Sequence, residues 1–230
     1  MDLEALKEKA AIEALKRVES GMRLGLGTGS TVAWFLKHLG AAVAEGRLRD
    51  VAGVPTSERT AQSCRDLGIP LLALEDAPDL DLGVDGADEV DPSLELIKGL
   101  GGALLREKMV AVACRRFIVI ADDTKRVTRT FEKSPLPVEC VPFAWRSHLP
   151  FLEGLGANPA LRTGKDGEPY YTDNGNVILD CRFDHQETEA SQVAAALESR
   201  PGIVEHGLFL GMADEAILAA DGDIEIMTRP

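Results

Sequence analysis

The sequence predicts an α/β fold: a mostly parallel sheet with helices on both faces, joined to a smaller α+β unit. Three observations lead there. Through residue 125, short apolar or β-branched runs alternate with helical stretches, the order that builds a parallel sheet. Two glycine turns open directly into helices. After about residue 130 the texture changes, with Pro135, Pro137 and Pro142 followed by the hairpin signal Asn174-Gly175. At 230 residues and 45% apolar composition, the chain has ample core for a main domain with a smaller companion.

Taken in order, Leu3, Leu6, Ala10, Leu15 and Val18 recur among charges at helical spacing, predicting an amphipathic helix over residues 2–19. Met22 to Leu26 predicts a strand, and Gly25-Leu26-Gly27-Thr28-Gly29-Ser30-Thr31 then turns into the apolar helix Val32-Ala33-Trp34-Phe35-Leu36. Val51 to Val54 reads as a strand, Ser57 as the N-cap of a helix through Leu67, and Leu71 to Leu74 as another strand. A strand at Leu80 to Val84, a helix near Gly102 to Ala113 and the β-rich run Phe117-Ile118-Val119-Ile120 follow. In the second unit, Tyr170-Tyr171-Thr172 and Val177-Ile178-Leu179 flank Asp173-Asn174-Gly175-Asn176 as hairpin arms. A helix from Glu187 to Leu197 and a strand near Ile203 complete it, and Gly207 to Thr228 predicts strands returning to the first unit. The expected division is therefore an α/β domain of residues 1–130 and 206–230, with residues 131–205 as a smaller α+β domain.

Charge narrows the function classes. Twenty-five basic against 38 acidic residues give a net charge of -13, which repels nucleic acid and anionic membranes alike. An anionic substrate would need a site that gathers lysines and backbone N–H groups locally. No apolar run is long enough for a membrane span. Cys64, Cys114, Cys140 and Cys181 are isolated and read as buried thiols of a reducing cytoplasm. His38, His148, His185 and His206 are equally scattered, so a transition-metal site is not expected. Three Asn, three Gln and an excess of 16 Arg over 9 Lys point to a heat-adapted source.

The first glycine turn places unpaired helix N-terminal N–H groups where a phosphate or polyhydroxylated ligand could sit. It is not a dinucleotide fingerprint, because Ser30 stands where G-x-G-x-x-G needs its last glycine, nor a P-loop, which needs Gly-Lys-Ser/Thr. A bare strand-to-helix turn is the ordinary alternative. The second turn, Lys98-Gly99-Leu100-Gly101-Gly102, puts an ammonium beside backbone N–H groups, an oxyanion-stabilising arrangement, with Glu107 a turn and a half into the following helix. Taken alone, Glu107 beside Lys108 would be a solvated helix residue. Asp85-Gly86-Ala87-Asp88-Glu89-Val90-Asp91 lacks calcium-loop spacing. Asp85 and Asp88 fall at a strand's carboxyl end, where open α/β sheets bind ligands, whereas Glu89 and Asp91 read as turn solvation.

Gly27-Thr28-Gly29-Ser30-Thr31, Asp85-Gly86-Ala87-Asp88-Glu89, Lys98-Gly99 and Arg106-Glu107-Lys108, in this order and spacing, resemble the A-type ribose-5-phosphate isomerase family. Ala121-Asp122-Asp123-Thr124-Lys125, Thr172-Asp173-Asn174-Gly175-Asn176 and Gly207-Leu208-Phe209 are similar to it too, so the resemblance runs end to end. One departure is Leu100, which interrupts the family's run of three glycines after the lysine. The resemblance implies a Rossmann-like main domain, a ferredoxin-like second one, and interconversion of ribose 5-phosphate and ribulose 5-phosphate without metal or organic cofactor. It implies Glu107 as general base through an enediolate, Lys98 as stabiliser of the enediolate oxygens, and Asp85 and Asp88 as partners of the sugar hydroxyls in ring opening and proton movement. Thr28, Gly29, Ser30 and Thr31, with Gly86, Ala87, Gly99, Leu100 and Gly101, are implied to hold substrate, and Lys125 and Lys7 to meet its phosphate. A cytoplasmic homodimer or homotetramer is the implied assembly.

Two other functions compete with this one. A sugar-phosphate-sensing regulator would need a DNA-reading element, and residues 1–20 offer one helix only. An acyl-CoA-transferring relative would use a carboxylate nucleophile but leaves Lys98 and Lys125 without a task.

Overall fold

The computed structural model describes residues 2–183 and 188–229. In chain order the main elements are α1 (Leu3–Leu15), β1 (Arg23–Leu26), α2 (Ser30–Ala44), β2 (Ala52–Pro55), α3 (Glu58–Asp66), β3 (Leu82–Asp85), β4 (Glu89–Val90), β5 (Leu96–Ile97), α4 (Leu104–Ala113) and β6 (Phe117–Asp122). Then come β7 (Leu136–Cys140), α5 (Leu149–Gly154), β8 (Ala157–Leu161), β9 (Val177–Phe183), α6 (Ala190–Glu198), β10 (Ile203–His206), β11 (Leu208–Phe209), β12 (Glu215–Ala219) and β13 (Ile224–Thr228).

Six strands form the main sheet in the order β13-β12-β6-β3-β1-β2, parallel except for the β12–β13 hairpin at one edge. The chain leaves β1 toward β2 on one side and comes back to β3 on the other, so the strand order reverses at β1/β3. That reversal opens a crevice at their carboxyl ends. Strand periodicity explains why both faces carry cover. On β6, Ile118 and Ile120 pack with Leu6, Phe35 and Leu39 of α1 and α2, while Phe117, Val119 and Ala121 pack the other way with Ala111 of α4, Leu96 and Phe209. All six β6 residues are buried, as expected of a central parallel strand.

The second sheet has the order β10-β7-β9-β8, all antiparallel, with α5 between β7 and β8 and α6 between β9 and β10. This βαββαβ path is the ferredoxin-like arrangement. Its own core comprises Leu136, Val138, Cys140, Leu179, Cys181, Val193 and Leu197. Pro137 sits inside β7, a central strand. Its carbonyl accepts from Gly207 N–H (2.8 Å) where β10 has just ended, so its missing N–H falls opposite the end of that strand.

A third sheet of three two-residue strands, β11-β5-β4, joins the two larger ones. Its residues are too few to show a period, and the sequence did not reveal it. It places Lys98, the residue after β5, whose N–H donates to Gly207 O at 2.9 Å.

Four expectations need correction. Leu71 to Leu74 is not a strand: Leu71 makes one parallel bridge to Gly53 and the chain then turns away at Leu74, which leaves β2 as the sheet edge. Tyr170-Tyr171-Thr172 is not a strand arm either. Gly175 turns the chain as expected, with Gly175 N–H bonded to Thr172 O, but β9 pairs with β7 and β8 and leaves Tyr171 only a bridge to Val177. The helix expected from Glu187 begins at Ala190, and Glu187, like His185, lies outside the described residues. Glu89 is not turn solvation: it is fully buried, and its Oε1 accepts the backbone N–H groups of Lys133 and Ser134, both at 2.5 Å, pinning the start of the crossover to β7. Asp91 does cap a turn, accepting from Ser93 and Glu95 N–H.

Glu89→Ala would take from the Lys133 and Ser134 N–H groups the buried acceptor that fixes them. We expect a loss of about 2–5 kcal/mol in denaturant unfolding; a change within about 0.5 kcal/mol would mean those groups find water instead.

Candidate active site

The crevice at β1/β3 is walled by three strand-to-helix or strand-to-loop turns. The first is the glycine turn after β1. Gly27 is required by close approach: a Cβ there would lie 2.1 Å from Asp85 Oδ1. Gly29 caps α2 with φ +145°, a conformation L side chains rarely adopt, so α2 opens toward the crevice with its first N–H groups free of a side-chain cap. Thr28 is tied down by hydroxyls from the turn after β2. Its Oγ1 meets Thr56 Oγ1 and Ser57 Oγ at 2.8 Å and Thr60 Oγ1 at 3.0 Å, and Thr60 Oγ1 donates to Gly27 O. Ser57 also caps α3 as its sequence position predicts, accepting from Thr60 N–H at 3.0 Å.

Asp85 ends β3. Its Oδ1 accepts from Thr28 N–H (3.0 Å) and Gly86 N–H (2.7 Å), so one carboxylate oxygen holds both turns together. Its Oδ2 lies 2.9 Å from Lys98 Nζ, which also lies 3.2 Å from Glu107 Oε2 and donates to Gly86 O at 2.7 Å. Lys98, Asp85 and Glu107 are each 2–3% exposed. The two facing carboxylate oxygens are close to the ammonium as charges, yet neither has a partner in hydrogen-bonding geometry among the described residues.

Burial opposes charge on all three groups, and three charges cannot balance as two negatives and one positive. For Lys98, the carboxylates of Asp85 and Glu107 outweigh burial, and its pKa is raised. For Glu107, burial first and Asp85 second outweigh the ammonium, and its carboxyl is pushed up to about 8. That is near neutrality, where a group can both take and return a proton. Asp88 is also raised, chiefly by burial; its Oδ2 accepts from Leu100 N–H at 2.9 Å.

Lys98, Glu107 and Asp88 meet a cavity of about 200 Å³. Its lining is drawn from the turn after β1 (Thr28 to Thr31), the turn after β3 (Gly86, Ala87 and Asp88), and Lys98, Gly99, Gly101 and Glu107 of the second glycine turn and its helix. Lys7 of α1 and Lys125, in the turn after β6, stand along the same cavity, although Lys7 is paired with Glu4 at 2.7 Å. Two expected substrate contacts do not reach it. Asp85 lies behind Lys98, and Leu100 is partly exposed and spends its N–H on Asp88. The sequence reading missed Leu3, Asp122 and Thr124, which also line the cavity; the last two were in a quoted motif beside Lys125. Asp122 ends β6 as Asp85 ends β3, and that shared position was the available signal.

Among the described residues, no group of three or more His, Cys, Asp or Glu is arranged to hold a metal ion, and no helix is long and apolar enough to cross a membrane. The cysteines are free; Cys114 is only half-buried, against expectation. Burial pushes the thiols up, to about 11 for Cys64 and about 12 for Cys114, so none is primed as a nucleophile.

Glu107 has a consequence for stability. Its folded pKa lies above the unfolded value of 4.5, so between 4.5 and about 8 the native state binds more protons than the unfolded one and stability falls as pH rises. Glu107→Gln removes this dependence. Its stability relative to the native chain should therefore grow from pH 5 to pH 8 in denaturant titrations; a constant difference would place the Glu107 pKa near its ordinary value.

The family model of ribose 5-phosphate isomerase A (phosphoriboisomerase A) matches residues 52–223. A ribose-5-phosphate isomerase A from Roseiflexus castenholzii is 53% identical over 227 residues, covering 98% of this chain and 97% of that one. A probable chloroplastic ribose-5-phosphate isomerase 3 from Arabidopsis thaliana is 47% identical, covering 97% and 83%. Among solved structures, a D-ribose-5-phosphate isomerase in complex with phospho-erythronic acid superposes with a TM-score of 0.96 at 39% identity, each chain fully covered. The ribose 5-phosphate isomerase A of Methanocaldococcus jannaschii gives 0.93 at 37%, covering 99% and 100%. By its sequence over nearly its whole length and by its fold, the chain belongs to the ribose 5-phosphate isomerase A family.

Proposed function

We propose that the cavity interconverts ribose 5-phosphate and ribulose 5-phosphate, with Glu107 moving one proton between C2 and C1. The observation that carries this is the buried Lys98–Glu107 pair at 3.2 Å facing a polar cavity that lysines enter from two further elements. In the open-chain aldose, Glu107 takes the C2 proton as the carbonyl oxygen on C1 gains electron density. Lys98 and the Gly101 N–H lie where they can stabilise the resulting cis-enediolate, the effect usually largest in such chemistry. Returning the proton to C1, with proton exchange between the two oxygens, gives the ketose, so atoms and charge balance without any redox partner. A single carboxylate suffices because both carbons lie on one face of the planar intermediate.

Asp85 acts in this scheme through Lys98, fixing its ammonium and keeping it charged. Asp88 faces the cavity and is the carboxyl available to the sugar hydroxyls, in ring opening and in passing the proton between oxygens. Lys7, Lys125 and the α2 N-terminus form the phosphate end, using both charge and free N–H groups. Residues 1–130 and 206–230 would then form the catalytic domain, with residues 131–205 as a lid or oligomer contact. The isolated, unreactive thiols favour a reducing cytoplasm, and the scarcity of amides a heat-adapted source. We place the assembly as a homodimer or homotetramer, a choice that solution mass measurement decides.

The direct test follows ketose formation from ribose 5-phosphate with EDTA present. Turnover is expected; tight binding of the sugar phosphate without turnover would favour a sensing role instead. Glu107→Gln should lower kcat by about 10²- to 10⁴-fold with KM little changed, the usual worth of a positioned base. Lys125→Ala should act mainly on KM for the phosphorylated sugar, and an unchanged KM would move the phosphate end elsewhere.

A further inference from the structure

Lys98 and Glu107 stand at the two ends of a loop whose shape is set from outside the main sheet. Arg162, immediately after β8 in the second unit, anchors its guanidinium on Asp180 of β9 by a fork of two bonds, Nε to Oδ2 at 2.9 Å and Nη2 to Oδ1 at 2.5 Å. Its remaining nitrogen, Nη1, donates to the carbonyls of Gly99 (3.0 Å) and Leu100 (3.1 Å). These are the carbonyls of the two residues after Lys98. Arg162 comes to the loop from the second unit and is not among the residues that line the cavity.

A trans peptide points its C=O and N–H in opposite directions. Fixing the Gly99 carbonyl on Arg162 therefore directs the Leu100 N–H away from the guanidinium, and that N–H is bonded to Asp88 Oδ2 at 2.9 Å. Fixing the Leu100 carbonyl likewise turns the Gly101 N–H away from Arg162, and Gly101 lines the cavity. The Gly99–Leu100 peptide is thus clamped between a guanidinium outside and a cavity-facing carboxylate inside. Gly99 at φ +99° and Gly102 at φ +83° let the loop reverse, and Gly102 N–H closes the turn on Gly99 O at 3.0 Å, so that carbonyl accepts both from within the loop and from Arg162.

We propose that Arg162 is a positioning residue for the isomerisation: anchored on Asp180, it orients the Gly99–Leu100 and Leu100–Gly101 peptides so that Asp88 and the Gly101 N–H present themselves to the reacting oxygens. The proposal rests on the isomerase reading above. It assigns the second unit a part in the chemistry of each protomer, apart from any part as a lid or contact surface. Arg162 touches no substrate in this scheme, so its loss affects the transition state, where oxyanion geometry matters, more than ground-state binding.

The test compares Arg162→Leu, Arg162→Lys and Asp180→Asn with the native chain, in steady-state kinetics with ribose 5-phosphate and in thermal unfolding. Arg162→Leu should lower kcat by about 10- to 100-fold with KM within about 3-fold, as for a group that sets reactive geometry. Arg162→Lys keeps the charge but not the fork and should recover only part of the rate. Asp180→Asn frees the guanidinium from its anchor and should show the same kcat-weighted loss in milder form, which keeps the proposal testable if Arg162→Leu fails to fold. Native turnover with variants that change kcat less than about 3-fold, or that raise KM instead, overturns the positioning role and leaves the isomerase reading intact. No turnover by the native chain overturns both.

Discussion

One ammonium is buried between two carboxylates, and much of the architecture exists to tolerate that. Removing an ammonium from water costs several kcal/mol even after relaxation. At about 3 Å and an effective dielectric near 20, each carboxylate returns on the order of 5 kcal/mol. Lys98 with Asp85 alone would be a balanced pair. Glu107 is the surplus charge, and it yields by holding its proton to about pH 8. The same imbalance that makes the site expensive lifts the Glu107 carboxyl toward neutrality.

Holding three such groups within about 3 Å requires rigid placement, since a shift of one ångström would forfeit much of the offset. Each comes from a different piece of the fold. Asp85 ends a central strand and is stitched to Thr28 and Gly86 through backbone N–H groups. Lys98 leaves a two-residue strand whose partner, β11, is 111 or more positions further on, and Phe209 of that partner lies under its ammonium at 5.2 Å. Glu107 rides on α4, whose next residue, Lys108, is tied to Glu205 and the His206 carbonyl. The segment 205–209 therefore joins the second sheet to Lys98 and to the helix that carries Glu107, and Arg162 adds a further tie.

Legibility varied with how local the signal was. The α/β order was readable because helices of nine or more residues and buried strands have periods that short windows reveal: Ser57 capped its helix, and Phe117 to Ile120 lay in the central strand as read. The Tyr170 arm failed because a hairpin turn fixes where a chain reverses, not which strands pair beyond it. Glu89 failed because four acids in seven positions look alike in sequence, and only the arrival of Lys133 and Ser134 above Glu89 distinguishes it from Asp91. Pro137 read as punctuation although it lies in a central strand, because the gap that accommodates it is made by residues about 70 positions away.

Taken by itself, the sequence determined the layer order, the two glycine turns, the acidic character that forces any anion site to gather its own lysines, and, through the order of its motifs, the family. Only the tertiary structure decided what each charged group does. Asp85 and Asp88 are equivalent on paper; in space one is spent holding Lys98 and the other faces the cavity. Glu107 beside Lys108 is an ordinary helix pair until burial and Asp85 lift its pKa. The physical reason is that periodicity and turn chemistry act over a few residues, whereas desolvation and Coulomb energy depend on distances between atoms that the chain brings together from opposite ends of its length.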